Sequence, residues 1–125
     1  MNDIKRNIGK FGEDASVKYL ESKGYLTIAR NYHSRYGEVD IIAENEFYIV
    51  FVEVKCRKSD TLISGIDAVD KRKQGKIIKT AYVYLQNNKI EKQIRFDVIE
   101  LRIGYKVYIK HIENAFDGGH EYAFF

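Results

Sequence analysis

Phe47-Tyr48-Ile49-Val50-Phe51-Val52-Glu53-Val54-Lys55 is β-branched and aromatic almost throughout, the composition of a buried central strand. Such a strand offers no cheap place for a carboxylate or an ammonium, each costing several kcal/mol to desolvate unpaired. Glu53 and Lys55 nevertheless stand two apart, on one face by strand periodicity. A second charge interrupts the preceding apolar run, Val39-Asp40-Ile41-Ile42-Ala43. Three ionisable groups set into two adjacent apolar strands point to a site.

The two strands read as a hairpin over residues 38–56, with Asn45-Glu46 as its tight turn because asparagine tolerates positive φ. This register places Glu44 opposite Phe47, Asp40 opposite Phe51 and Glu38 opposite Glu53. Asp40 and Glu53 are then diagonal neighbours on one face, with Cβ atoms roughly 7 Å apart or less. Two carboxylates so placed can ligate one hard cation, which for Mg²⁺ takes oxygens at about 2.0–2.1 Å. A slip of one residue would send Asp40 to the other face, so the reading depends on the register.

With 125 residues, 45% of them apolar and 31% charged, the chain suits a single folded domain over 1–125 and has the balance of a globular, not a disordered, protein. No apolar run approaches the ~20 residues of a transmembrane helix, and the N-terminus has no signal-peptide core, so no membrane is expected. One cysteine, Cys56, precludes an internal disulfide and suits a reducing compartment, the cytoplasm. Cys56 falls on the strand face opposite Glu53 and Lys55, as a small buried hydrophobe. The net charge of +3 is modest, but Lys55, Arg57, Lys58, Lys71, Arg72, Lys73, Lys76 and Lys79 crowd one quarter of the chain. Such a cluster can hold a polyanion or simply form a solvated helix face.

Elsewhere, Ile4, Ile8, Phe11, Ala15 and Tyr19 recur on one face of a helix over 4–23. Residues 25–30 are a strand, 31–37 a polar loop and 57–69 a mobile connection. Asp70 can N-cap a second helix reaching about Gln86, with Ile77, Ile78, Ala81 and Leu85 as its apolar face. Strands follow over 94–101 and 105–112, and the tail 117–125 is expected to be loosely held. This order predicts an α/β (α+β) fold, a central mixed sheet flanked by helices.

The αβββαβ order, with Asp40 on the second strand and Glu53-Val54-Lys55 on the third, resembles the PD-(D/E)XK nuclease superfamily and its restriction-endonuclease-like core. More closely, Gly12-Glu13-Asp14-x-Ala, Asn31-Tyr32, Gly37-Glu38-Val39-Asp40-Ile41-Ile42-Ala43 and Val52-Glu53-Val54-Lys55-x-Arg57 resemble the YraN-like family of endonuclease-like proteins, itself similar to archaeal Holliday-junction resolvases. The resemblance runs from about Lys10 to Phe116. It implies Asp40 and Glu53 as ligands of Mg²⁺ or Mn²⁺, Lys55 as the group that orients or activates the attacking water, and Glu13 as an accessory carboxylate. Periodicity alone makes Glu13 a solvated helix glutamate. Gln74 shares the inward face with Ile77, Ile78 and Ala81, where it can either meet the site or bond to backbone.

Glu38 can join the metal's surroundings or sit at the sheet rim. Arg35, Arg57, Lys58, Lys71, Arg72, Lys73 and Lys76 are candidate phosphate contacts, ordinary surface cations being the alternative. His33, His111 and His120 lack metal-ligand spacing, and Asp97 reads as structural. The expected activity is metal-dependent endonucleolytic hydrolysis of DNA, on branched or irregular substrates. The rival is a nucleic-acid-binding module on the same fold without turnover. Junction-cutting enzymes commonly act as dimers, so a homodimer is compatible with the resemblance.

Overall fold

The computed structural model describes residues 2–58 and 69–118, with side chains described from Asn7 onward. Its elements are α1 (Asn2–Ser22), β1 (Leu26–Ser34), β2 (Gly37–Glu44), β3 (Tyr48–Lys58), α2 (Lys71–Asn87), β4 (Gln93–Ile103) and β5 (Val107–Ile112). The five strands form one mixed sheet in the order β1-β2-β3-β4-β5. All neighbours are antiparallel except β3 and β4, which run parallel and are joined across α2. This is an α+β architecture consistent with a restriction-endonuclease-like core, as expected.

The alternation of apolar residues along β3 explains why the sheet is covered on both sides. Ile49 and Phe51 face one core with Ile42, Ile77, Ile78, Ala81 and Phe96. Val50 and Val52 face the other with Leu20, Ile41, Ala43, Ile99 and Leu101. The first core lies under α2 and the second under α1. Alternation then carries Glu53 and Lys55 to the α2 side, and Val54 and Cys56 to the α1 side. Cys56 is only partly buried there, and burial raises its thiol pKa.

Helix α2 starts where expected. Asp70 is its N-cap, and the side-chain Oδ1 accepts from the Lys73 backbone N–H at 2.8 Å. That bond satisfies one of the orphan donors of the first turn. Asp70→Ala is expected to lower stability by about 1 kcal/mol. A reduced urea midpoint at unchanged slope would show it; an unmoved midpoint would mean that the cap contributes nothing.

Three expectations need correction. The stretch Asn31–Ser34 is strand, not loop: β1 continues through it, and the turn is confined to Arg35-Tyr36 between the paired Ser34 and Gly37. Asn31 adopts φ 52°, a left-handed conformation that asparagine accepts inside the strand.

The hairpin register is shifted by two residues: Ile42, not Asp40, pairs with Phe51, and Glu44 pairs with Ile49 instead of Phe47. The cause is that the turn sits one residue later, at Glu46-Phe47: the Asn45 N–H donates to the Tyr48 carbonyl at 3.0 Å and closes it. The Asn45 side-chain oxygen also accepts from both Phe47 N (3.1 Å) and Tyr48 N (2.8 Å), which fixes the turn at that place. A two-residue shift preserves the faces, so Asp40 and Glu53 remain on the same side.

Third, α1 buries only the later part of the stripe expected of it: Ala15 and Tyr19 pack against the α1-side core, but Ile8 and Phe11 do not. Ile8 and Phe11 are 37% and 46% exposed, while Gly12, Ser16 and Leu20 are buried. A Cβ on Gly12 would lie 3.1 Å from Cys56 Cβ, so the absent side chain is what lets α1 approach β3 closely. Ser16 Oγ donates back to the Gly12 carbonyl at 2.7 Å, which allows a polar residue in that contact.

Most of the connection expected to be mobile, residues 59–68, lies outside the described residues, as do 119–125 of the tail and the Ile4 side chain. The tail's first described residues pack close to the α2-side core: Gly118 sits near the Phe96 ring, beside buried Phe116.

Candidate active site

The β2–β3 ladder stops at Ile41–Val52, although both strands run on past it. Beyond that pair the Val54 N–H donates to Asp40 Oδ2 at 2.8 Å. A side-chain carboxylate has taken the place of a ladder acceptor, and the hairpin opens around it. The same carboxyl hydrogen-bonds to that of Glu53. Glu53 itself is nearly sealed from water, its side chain 6% exposed. The convergence expected from the sequence is present, through an opened hairpin end and not a diagonal of the ladder.

Two ammonium groups meet Glu53. Lys73 Nζ, from the first turn of α2, lies 3.1 Å from Glu53 Oε1, and Lys55 Nζ lies 3.8 Å from the same oxygen. The sequence makes Lys73 a phosphate contact or, alternatively, an ordinary surface cation, and neither describes its place against Glu53. Its placement here was legible only through the Asp70 cap, which fixes the turn that carries it. The sequence names Lys73 as a candidate, but its ion pair with Glu53 gives no signal in the basic run.

The charges are balanced unevenly. Burial, then the charge of Glu53, pushes Asp40 from 3.8 up to about 7, against the opposing Val54 hydrogen bond. Burial chiefly lowers Lys55, helped by its hydrogen bond with Lys73. Burial also pulls Lys73 down, but the bond to Lys55 and the charge of Glu53 outweigh it and leave Lys73 raised. Lys73 is the more exposed of the two, at 42% against 21%, and the closer to Glu53, so it is the better holder of the positive charge.

Lys73→Ala should therefore have opposite effects in two assays. It leaves Glu53 with one distant cation and lowers metal-free stability by about 1 kcal/mol, discounted for Lys73's exposure. It also frees a Glu53 oxygen and should strengthen Mn²⁺ binding. Calorimetric titration showing weaker Mn²⁺ binding would end the view that Lys73 competes with a cation.

Glu13 is not solvated as its helical phase suggested. Its side chain is 14% exposed and accepts from Arg30 Nε at 2.8 Å and Asn31 Nδ2 at 3.0 Å. Asn31 lies between the pairs Arg30–Ile41 and Tyr32–Val39, hence across from Asp40. Glu13 thus lines the same cleft as Asp40, but its hydrogen bonds are made to β1. Gln74 takes the backbone option: its Nε2 donates to the Val69 carbonyl at 2.8 Å. Glu38 pairs with His33 at 3.4 Å, not with Glu53.

Of the basic residues, Arg57 and Lys58 line the cleft with Lys55. Lys71, Arg72 and Lys76 are exposed on α2. Arg35 is held at the β1–β2 turn, donating to Tyr36 Oη at 2.7 Å beside Lys79, which lies over the same ring. Among the described residues, no three His, Cys, Asp or Glu side chains converge as a metal cluster. The hard-oxygen donors are the Asp40–Glu53 pair, and Mg²⁺ characteristically keeps several waters beside one or two carboxylates.

A profile of the family described as "Uncharacterised protein family UPF0102" matches residues 12–101, which span Glu13, Asp40, Glu53, Lys55 and Lys73. The chain belongs to the UPF0102 family. It is 48% identical over 113 residues to a UPF0102 protein of Sulfurihydrogenibium sp. (strain YO3AOP1), covering 90% of this chain and 96% of that one. A UPF0102 protein of Syntrophomonas wolfei is 42% identical over 115 residues, covering 90% and 100% respectively. One from Clostridium acetobutylicum is 43% identical over 120 residues, covering 93% and 98%. These matches bear out the YraN-like resemblance at the level of the family. Among the described residues of this UPF0102 chain, no helix is long and apolar enough to cross a membrane.

Proposed function

We propose that this UPF0102 protein is an endonuclease of the PD-(D/E)XK type that hydrolyses DNA phosphodiester bonds with Mg²⁺ or Mn²⁺ held by Asp40 and Glu53. The observation that carries this reading is the buried, hydrogen-bonded carboxyl pair at the opened end of the β2–β3 hairpin. Two acids forced together away from water cost stability unless a cation or proton lies between them. The donors are all oxygen, which suits a hard divalent ion. Such an ion, when bound, neutralises phosphoryl charge and activates water.

The chain's own groups divide the remaining work. Asp40 must give up its proton to serve as a ligand. Lys55, with its pKa lowered by burial, stands beside Glu53 where it can orient the attacking water and accept its proton. Lys73 holds Glu53 in place. Arg57 and Lys58 flank the cleft, and exposed Lys71, Arg72 and Lys76 extend positive charge along α2 for phosphate contacts. The single cysteine suits a cytoplasmic setting.

One observation favours the rival, a DNA-binding module without turnover: Lys73 and Lys55 already compensate Glu53, and the acid pair has no third carboxylate in its immediate cluster among the described residues. Nicking of supercoiled plasmid and four-way-junction DNA with Mg²⁺ or Mn²⁺ separates the two. Cleavage that is lost in Asp40→Asn supports the enzyme; binding without cleavage under either ion supports the module.

Metal affinity should also depend on pH. Because Asp40 releases a proton on binding, Mn²⁺ affinity is expected to rise about tenfold per pH unit toward pH 7 and flatten above it. Isothermal titration between about pH 5 and pH 8 checks this. A flat profile would remove Asp40 from the ligand set.

A further inference from the structure

The cleft that holds Asp40 and Lys55 has a second wall that phosphodiester hydrolysis does not require. Ile8, Val54, Cys56 and Ile103 line it, putting apolar surface directly beside the ionic groups. Phe11 lies three residues from Ile8 on the same helix and is therefore its surface neighbour. Both are exposed, so the apolar stripe at this end of α1 has not been spent on the core. Independently, Arg57 lines the same cleft, and its buried Nε has no hydrogen-bond partner among the described residues. A buried guanidinium N–H is seldom left unpaired, and among the described residues no acceptor meets this one, a place that a ligand oxygen could fill.

We infer, resting on the nuclease reading, that the cleft takes an unpaired nucleotide of the DNA strand being cut. Its phosphate lies toward Asp40 and Lys55, its base lies against Ile8, Val54 and Ile103 with Phe11 at the mouth, and Arg57 donates to one of its oxygens. In a duplex the base faces are stacked and hidden, while phosphate and sugar form the outer surface. A duplex therefore has nothing to offer an apolar wall. An unstacked base has a flat apolar face to bury, and aromatic or aliphatic side chains are what receive it. The volume of about 980 Å³ lies at the upper end of the range of small-molecule pockets, about 300–1,000 Å³. The side chains of Ile8, Val54 and Ile103 carry no donor or acceptor to read base edges. The preference is accordingly for unpaired structure and not for sequence. Bulges, flaps and junction centres are the DNA forms that present such a nucleotide.

Fluorescence anisotropy in EDTA tests this without requiring catalysis. The probes are a labelled oligothymidine strand, a blunt duplex, and the same duplex carrying a short thymidine bulge. The wild-type chain should bind the single strand and the bulge at least about tenfold more tightly than the blunt duplex, the scale of one stacked base. Phe11→Ala and Ile8→Ser should each reduce that ratio severalfold, and Phe11→Tyr should retain it. Phe47→Ala, an exposed aromatic at the far end of β3, should leave the ratio unchanged. Because Ile8 and Phe11 are exposed, their variants should melt like wild type. Equal wild-type affinity for bulged and blunt duplexes, or a preference that survives in the Ile8→Ser/Phe11→Ala double variant, would overturn the inference. Loss of the nuclease reading looks different: the preference persists but no metal nicks the DNA. Nicking without any preference sinks this inference and leaves the nuclease reading standing.

Discussion

Asp40→Asn is expected to abolish metal-dependent cleavage and, at the same time, to stabilise the metal-free protein at neutral to alkaline pH. The second effect follows from the direction of the Asp40 shift, from 3.8 to about 7. A carboxyl whose pKa is raised by folding binds its proton more tightly in the native state than in the unfolded chain. Its contribution therefore turns against folding as pH rises from about 4 to about 7, and is fully unfavourable above that.

At about 1.4 kcal/mol per pH unit the full effect is on the order of 4 kcal/mol. The Asn amide also needs partners of its own, so a net gain of about 1–3 kcal/mol near pH 8 is the expectation, several degrees in Tm. The gap should close as pH falls below about 4, where the wild-type carboxyl becomes protonated in both states. Mn²⁺ reverses the comparison: an ion at a hundred times its Kd stabilises wild type by about 2.7 kcal/mol, and the Asn variant by much less. Equal Mn²⁺-induced shifts in the two proteins would show that Asp40 is not a ligand.

The largest loss of stability is expected away from the site, at Asp97. This residue is fully buried and accepts from Arg95 Nε and Nη2 at 2.9 Å each, from the Asn114 N–H at 3.0 Å, and meets His111 Nε2 at 2.6 Å. Arg95 also donates to the Tyr25 hydroxyl, and Tyr19 Oη contacts His111 Nδ1 at 3.1 Å. The cluster ties β4 and β5 to the end of α1.

Asp97→Ala strands a nearly buried guanidinium and should cost about 3–5 kcal/mol, a large part of a typical domain's 5–15 kcal/mol. Denaturant unfolding would reveal it; a midpoint within experimental scatter of wild type would show that the cluster is dispensable. Burial pushes the Asp97 pKa up, but its bonds from His111, Arg95 and Asn114 outweigh this and hold it below 3.8. Its stabilisation is therefore present above about pH 4 and lost as pH falls through that lowered value, the opposite sign to Asp40.

The site's central residues were legible in the sequence because strand periodicity is rigid. Asp40, Glu53 and Lys55 interrupt apolar runs, and period-2 alternation assigns their face even when the register is wrong by two. Asp70 was legible for a similar reason, since an N-cap is a local side-chain-to-backbone bond. Less local contacts were hidden. Asn31–Ser34 looks like loop by composition, yet pairing with β2 holds it in strand geometry.

Glu13 was misplaced because helical phase was judged from large apolar residues. The buried line of α1 is built on a glycine and a serine, whose value lies in letting the helix approach Cys56. Lys73 was hidden among neighbours of the same type; only the start of α2, placed beside Glu53, sets it apart from Lys71 and Arg72. His111 gave no signal at all, since its partner Asp97 is contributed by the neighbouring strand.

The parallel pairing of β3 with β4 also sets an order of events. Asp40 and Glu53 belong to one hairpin with a tight turn, the sort of element that closes within microseconds. Lys73 reaches Glu53 only on the crossover helix, and parallel neighbours must overcome the entropy of closing that long connection before their contacts repay it. The two acids can therefore be gathered early, whereas the lysine that compensates Glu53 arrives with the slow, non-local part of the topology. A chain that has formed its hairpin but not the crossover carries the acid pair without that counter-charge, so the electrostatics of the finished site report that the whole sheet has been assembled.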